Sequence, residues 1–405
     1  MPALTSFTQF SGIHWATGYL TNTLGYLDAR APHTNLPPSE ALIMGVSGGI
    51  CAGYFVFEYE GWDPHLHFLT RYLFTSEPVS AYERLGIVMD TRSTTDGMKG
   101  MANVVNALAE GKPAIVWADE TRLSYNAQSP SDDYYSVMPL LVIACDMASG
   151  EVITADRARV PLTTTVHEMI EARGKLKKLR HQTVTISPPD YAKLAHAVSA
   201  GISDCLNLYS GKSPVGSAAN FGISAFDKWA GMLVNRKDKR GWPTMFSPGR
   251  KLYNGLLTGY QYIEAYYTGG HGARAMYADF LDEAAVIVGN DQLKHAATAF
   301  RACVPYWAAL TTALLPDEMP LLAETRQLIQ ARHDDFLAGG NSTIDARLQA
   351  GERLTELREQ AAQDFPLTDA QAEAFYAGIR ERVLALRDAE KAAVDALAEA
   401  VGYTG

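Results

Sequence analysis

Four titratable side chains in the first hundred residues, Arg71, Asp96, His14 and Glu58, have the chemistry of a proton-transfer or carboxylate-binding site. Arg71 lies in the run Phe68-Leu69-Thr70-Arg71-Tyr72-Leu73-Phe74. A buried guanidinium needs a partner, and its planar fork suits the carboxylate of a substrate as well as an internal Asp or Glu. Asp96 opens a helix within Ser93-Thr94-Thr95-Asp96-Gly97. A carboxylate there either caps backbone N–H groups or acts as a general base aimed from the helix end. His14 is either a base or a structural donor at the start of a buried helix. Trp15, Tyr54, Phe57 and Asp119 are candidates for contacting a substrate. Tyr54, Phe55, Phe57, Tyr59, Trp62, Phe68, Tyr72 and Phe74 crowd into residues 54–74. Core packing accounts for most such residues, and an aromatic wall around a planar substrate is the alternative.

Other chemistries find little support. His65 and His67 alternate on a strand with Asp63 one step behind, but a zinc site needs a fourth partner that the sequence does not supply, so no metal is expected. The glycine-rich stretch Gly45 to Gly53 is neither GxxxxGK[ST] nor GxGxxG, and no cofactor is expected. Cys51, Cys145, Cys205 and Cys303 form no CxxC pair and read as buried thiols. With 45 acidic against 35 basic side chains and no long basic run, nucleic acid is not an expected partner. The shorter run Lys175, Lys177, Lys178, Arg180 reads as a solvated helix end. No stretch of eighteen apolar residues occurs and the N-terminus lacks the features of a signal peptide. The expectation is a cytoplasmic protein acting on small molecules away from membranes.

The elements that must position these groups divide the 405 residues into three expected parts. Residues 1–160 mix helices with short strands, residues 161–320 turn helical, and residues 321–405 form long amphipathic helices. Met98 to Glu110 has helical periodicity and is stopped by Gly111-Lys112-Pro113. Ala114 to Ala118 reads as a buried strand, and Met138 to Cys145 pairs with Glu151 to Asp156 across a turn at Gly150. The helices after Pro316 have more apolar face than one domain needs, which predicts a homodimer with those helices at the contact.

Several segments together resemble the family of the butirosin-biosynthesis acyltransferase with its attached helical domain of unknown function. They are Gly12-Ile13-His14-Trp15-Ala16-Thr17-Gly18, Ser39 to Phe55, Gly111-Lys112-Pro113, Leu123-Ser124-Tyr125, Asn220 to Ala225 with Trp229, Gly269-Gly270-His271-Gly272-Ala273-Arg274 and Tyr277 to Ala285. The resemblance implies an α+β fold: a papain-like N-terminal domain with a short antiparallel sheet, then a mainly helical domain. It also implies a cysteine after the first histidine, activated by a histidine that opens a later strand. Here those positions hold Trp15 and Met138, and Asp156, at the third position, has no imidazole to orient. An indole cannot carry an acyl group, so the covalent route fails. Thr17 or Cys51 as a substitute nucleophile would need a base within reach.

A cleft without its nucleophile can still hold two reactants and move protons between them. The bacterial β-carboline-forming Pictet–Spengler synthases look similar in size and in using an arginine followed about two dozen residues later by an acid, the spacing of Arg71 and Asp96. Their acid is a glutamate, and Leu85-Gly86-Ile87 stand where they have a histidine. The first expectation is therefore an enzyme that condenses a tryptophan-like amino acid with an aldehyde. Arg71 would hold the carboxylate and Asp96 would take the ring proton. The alternatives are an acyl or aminoacyl transferase using a carrier-bound donor, and an inactive binding protein of a biosynthetic cluster.

Overall fold

The computed structural model describes residues 2–71, 79–128, 136–175, 177–212, 218–265 and 268–404. Tyr72 and Phe74 of the aromatic run lie outside the described residues. The strands are β1 (Gly53–Phe57), β2 (His65–Leu69), β3 (Met89–Arg92), β4 (Ala114–Asp119), β5 (Val137–Asp146), β6 (Glu151–Ala155), β7 (Leu162–Thr165) and β8 (Thr183–Ile186). β1 and β2 form a two-stranded sheet, and the other six are ordered β3-β8-β4-β5-β6-β7. Every strand pairing among the described residues is antiparallel. The fold is thus α+β with two separate sheets, where the sequence suggested one.

The chain divides into two compact units, each assembled from three segments. The first comprises residues 1–43, 77–194 and 331–351. Its six-stranded sheet is built around β4, whose six residues are all buried. The β5–β6 hairpin turns at Gly150, which adopts φ +79°, a backbone that favours glycine. The helices of this segment order are α1 (Gly18–Tyr26), α2 (Glu40–Val46), α3 (Val79–Arg84), α4 (Gly97–Ala109) and α5 (Val166–Gly174). α2 begins in this unit and ends in the other. α4 buries Met101, Val104, Ala107 and Leu108 at helical spacing against the sheet, and α1 packs on β5.

The second unit comprises residues 44–76, 195–330 and 352–405. It holds the β1–β2 sheet with α6 (Leu194–Tyr209), α7 (Ile223–Val234), α8 (Trp242–Met245), α9 (Arg250–Tyr260), α10 (Arg274–Val288) and α11 (Gln292–Leu314). α12 (Pro320–Gly339) and α13 (Ile344–Gln363) contribute to both units, and α14 (Asp369–Val401) closes the second. Tyr54 and Phe68 point from one face of the small sheet into an aromatic core with Phe226, Trp229, Trp242 and Trp307. Burying rings of this size stabilises by about 1.5–3 kcal/mol each, which accounts for Tyr54 and Phe68 of the aromatic run, whereas Tyr59 and Trp62 are exposed. The apolar stripe of α14, Ala372, Tyr376, Ile379, Val383, Leu386, Ala393 and Leu397, is buried against α11 and α7 of the same chain. That part of the helical face expected at a homodimer contact is therefore covered within the chain.

Candidate functional site

The loop before α1 is where the sequence reading placed a lost nucleophile. A Cβ on Gly12 would lie 2.2 Å from the Gly18 carbonyl oxygen, so the loop crosses itself where only glycine fits. Asn22 Oδ1 accepts from the N–H groups of Ser11 and Gly12, each at 3.1 Å. The Glu40 carboxylate accepts from the N–H of Ile13 at 2.9 Å, the N–H of His14 at 2.8 Å and the Thr17 hydroxyl at 3.0 Å. His14 is buried, and its Nδ1 accepts from the Ala16 N–H at 3.1 Å, which leaves the proton of the neutral ring on Nε2. Trp15 is half-buried and stacks on His14. Met138 is the second residue of β5, the strand on which α1 packs. The two positions carry an indole and a thioether, neither able to form or activate an acyl acceptor.

At the ends of β4 and β6 lies a buried polar network. Asp119 Oδ1 accepts from the Thr121 N–H and hydroxyl at 3.2 and 2.9 Å and from the Ser136 N–H at 3.1 Å, and Arg122 Nε stands 3.5 Å from its other oxygen. Asp156 takes two bonds from Arg157, at 2.6 and 2.9 Å, and one from the Tyr125 hydroxyl at 2.9 Å. Arg157 also donates to Glu120 at 2.9 Å and holds φ +48°. Burial and the neighbouring Asp156 raise the Tyr125 phenol well above its ordinary range. Charges this deep must be paired, and these are. Asp119 and Asp156 are thereby committed to holding their loops.

Asp119's partner Arg122 leads to a cavity of about 430 Å³ lined by Arg122, Ile170, Glu171, Gly174, Lys175 and His181. The turn that presents His181 is strained: Arg180 and His181 adopt φ +47° and +45°. It is held by Arg173, fully buried, which donates to the carbonyls of His181 and Gln182 at 2.6 and 3.1 Å and to the Thr183 hydroxyl at 2.9 Å. The first turn of α4 packs on the same histidine, since a Cβ on Gly100 would lie 2.8 Å from His181 Cβ. Among the described residues His181 Nδ1 is buried without a hydrogen-bond partner. Burial and then the Arg173 charge lower the His181 pKa, with Asp96 pulling the other way. A neutral imidazole in a pocket with Arg122 and Lys175 can accept a proton beside a bound anion.

Asp96 itself is exposed and accepts the Lys99 N–H at 2.9 Å, the N-cap of α4. Arg71 is buried and donates to Ser47. The two belong to different units. Tyr54 is part of the core, where its hydroxyl accepts from Trp242 Nε1 at 3.1 Å and burial raises its pKa. Glu58 is exposed just past the end of β1. Phe57 is half-buried on the outer face of the small sheet, stacked in a ladder with Phe55 and Tyr59 and packed against His65 and His67. His67 stacks on Tyr262 and is pushed down to about 4 by burial, while Asp63 pairs with Arg250 at 2.6 Å. No group of three or more His, Cys, Asp or Glu among the described residues is arranged to hold a metal ion.

The sequence reading missed Glu40, Arg122 and His181. The only signal for the last was the basic run beside it, of which Lys175 lines the cavity while Lys177 and Lys178 are exposed. Residues 19–157 match the family model described as Butirosin biosynthesis protein H, N-terminal, and residues 167–330 match a domain of unknown function, DUF4872. The chain is thus similar to a butirosin-type biosynthesis protein followed by a second domain. A curated relative, the shikimate dehydrogenase (NADP(+)) of Azorhizobium caulinodans, is 29% identical over 199 residues, which cover 47% of this chain and 60% of the relative.

Proposed function

We propose that this chain is an enzyme of specialised metabolism that transfers an acyl or aminoacyl group from a carrier-bound thioester to an amine without a covalent enzyme intermediate. The cavity of the first unit carries the reading. It is lined by Arg122, which stands 3.5 Å from Asp119, by Lys175 and by Glu171, and the two cations would be the contacts for the anionic end of a carrier-bound donor. His181 would accept the proton released as the amine attacks the thioester carbonyl, and would return it to the departing thiolate. The match to the butirosin-type model supports a biosynthetic role, and α1 packed on β5 supports a papain-like scaffold for the first unit.

The nicotinamide chemistry in the relative's name is not part of the proposal. A dinucleotide site of the doubly wound kind rests on parallel strands, whereas the pairings described here are antiparallel. The Pictet–Spengler condensation loses its main argument, the spacing of Arg71 and Asp96, because Asp96 caps a helix and Arg71 is bonded to Ser47. Incubation with an acyl-carrier thioester and a panel of amines, read by mass, is expected to give amide product with no mass added to the enzyme. Arg122→Ala and Lys175→Ala should raise KM for the donor more than they lower kcat. An acyl-enzyme adduct would overturn the non-covalent reading, and a tetrahydro-β-carboline formed from tryptophan and an aldehyde without amide product would restore the condensation.

A further inference from the structure

The second unit contains a histidine held in a geometry that packing alone does not require. His271 Nδ1 lies 3.1 Å from Glu264 Oε1, the His271 backbone N–H donates to Glu264 Oε2 at 2.9 Å, and the Thr311 hydroxyl donates to Oε1 at 3.0 Å. The carboxylate thus grips both the ring and the main chain of one residue. Glu264 is largely covered, with 9% of its side chain exposed, whereas 38% of the His271 side chain is accessible. Among the described residues no hydrogen bond engages His271 Nε2.

Both residues sit on irregular backbone. Glu264 belongs to a π-helical turn, Gln261–Ala265, that follows α9. Gly269, Gly270, His271, Gly272 and Ala273 all have positive φ, at +81°, +80°, +48°, +60° and +65°. Three glycines take this conformation at little cost, but His271 and Ala273 do so against an intrinsic preference of about 1–2 kcal/mol per residue. Such a run persists only where the surroundings impose it. Arg274 does so here: it is fully buried, donates to the Gly272 carbonyl at 2.7 Å, and is itself fixed by Glu390 and by the Tyr209 hydroxyl. A Cβ on Gly272 would meet Arg274 Nη1 at 2.9 Å and Thr70 Cγ2 at 3.2 Å, so the loop is pressed onto its support. π-turns and left-handed strain collect at functional sites.

We propose that His271 and Glu264 form a second proton-transfer site, independent of the cavity of the first unit, in which Glu264 orients the imidazole and Nε2 takes a proton from the hydroxyl or amine of a small substrate. Glu264 fixes the tautomer with the proton on Nδ1, leaving Nε2 as the acceptor, and stabilises the imidazolium that forms. The carboxylate contact also raises the His271 pKa, which makes it a stronger base near neutral pH.

The test uses the full chain and p-nitrophenyl acetate as a reporter that does not depend on the natural substrate. Water attacks the acetyl carbonyl as His271 takes its proton, p-nitrophenolate leaves, and the imidazolium returns the proton to solvent. His271→Asn keeps a residue that tolerates left-handed backbone but removes the base. Its rate should fall about a hundredfold, the lower end of a lost general base. Glu264→Gln still accepts a hydrogen bond through its amide oxygen but loses the charge, so the acid limb of the rate profile should move to lower pH. The His271 ring resonances should titrate at lower pH by the same shift. A His271→Asn protein that hydrolyses the ester at the wild-type rate, or a Glu264→Gln profile and titration that do not move, would overturn the proposal. If His271→Asn fails to fold, the Glu264→Gln rate profile decides the matter, since a merely structural pair would move the titration without moving the rate profile. Because the reporter assay needs no carrier thioester, a failure of acyl transfer at the first unit leaves this result unaffected.

Discussion

Replacing Glu390 tests whether the second unit is held by the ion pair at its centre. Glu390 is fully buried on α14 and accepts four hydrogen bonds: Arg274 Nε at 2.8 Å, Arg274 Nη2 at 3.1 Å, the Tyr209 hydroxyl at 2.7 Å and Trp307 Nε1 at 2.8 Å. Glu390→Ala leaves the Arg274 charge with only neutral partners, chiefly the carbonyls of Gly272 and Cys51 and the Tyr209 hydroxyl. Removing one partner of a buried pair costs about 3–5 kcal/mol. Each further donor left without an acceptor, here Trp307 N–H and Tyr209 O–H, adds about 1 kcal/mol or more. The sum, about 5 kcal/mol or above, is a large share of the stability of an ordinary domain, about 5–15 kcal/mol. The double variant Arg274→Met/Glu390→Leu removes both charges, leaving as losses the stranded Trp307 and Tyr209 donors, the stranded Gly272 and Cys51 carbonyls, and repacking. Urea unfolding followed by tryptophan fluorescence should therefore show the double variant more stable than Glu390→Ala, with a coupling of at least about 2 kcal/mol. A loss below about 1 kcal/mol for Glu390→Ala, or additive single effects, would refute the reasoning.

Three further outcomes are expected. His67 titrates at about 4 in the folded chain against 6.5 when exposed, so the unfolded chain binds its proton first and stability falls as pH drops from about 6.5 towards 4; His67→Phe should flatten that part of a urea-midpoint profile against pH. Asp96→Asn should leave the melting temperature almost unchanged, because Asn caps a helix as well as Asp, and should shift the His181 titration measured by NMR further down, since the Asp96 charge raises it. Gly12→Ala should destabilise by more than about 2 kcal/mol in thermal unfolding, because its Cβ would meet main chain, which cannot rotate away, at 2.2 Å from Gly18 O.

What could be read from the sequence was local. The helix from Gly97 to Ala109 and the β5–β6 hairpin announce themselves through periodicity and turn glycines, which depend on neighbours only a few residues away. The separation of β1–β2 from the larger sheet depends on Phe68 and Tyr54 meeting Trp229, Trp242 and Trp307, contacts that cross well over a hundred residues and leave no periodic trace. The same limit applied to the site residues. Asp119 reads in the sequence as a candidate for contacting a substrate, yet Thr121 and Ser136 claim it. His181 stood beside a basic run, and nothing in its sequence context reveals the left-handed turn or the buried Arg173 that holds it. His271 lay in a recognisable glycine-rich motif, but its carboxylate partner comes from the end of a preceding helix, where an isolated Glu264 is unremarkable.

The order in which the segments enter the two units has a consequence for synthesis on the ribosome. Residues 44–76 belong to the second unit yet emerge before most of the first, and the first needs residues 331–351, which emerge after most of the second. Neither unit is complete until nearly nine-tenths of the chain has been made. Growing chains commonly fold one finished domain at a time, and that route is closed here. The β1–β2 hairpin, with Phe55, Phe57 and Tyr59 on its outer face, must wait for helices about 150 residues downstream. Cutting the gene near residue 160 would divide both units, so their activities are better separated by point substitution than by truncation.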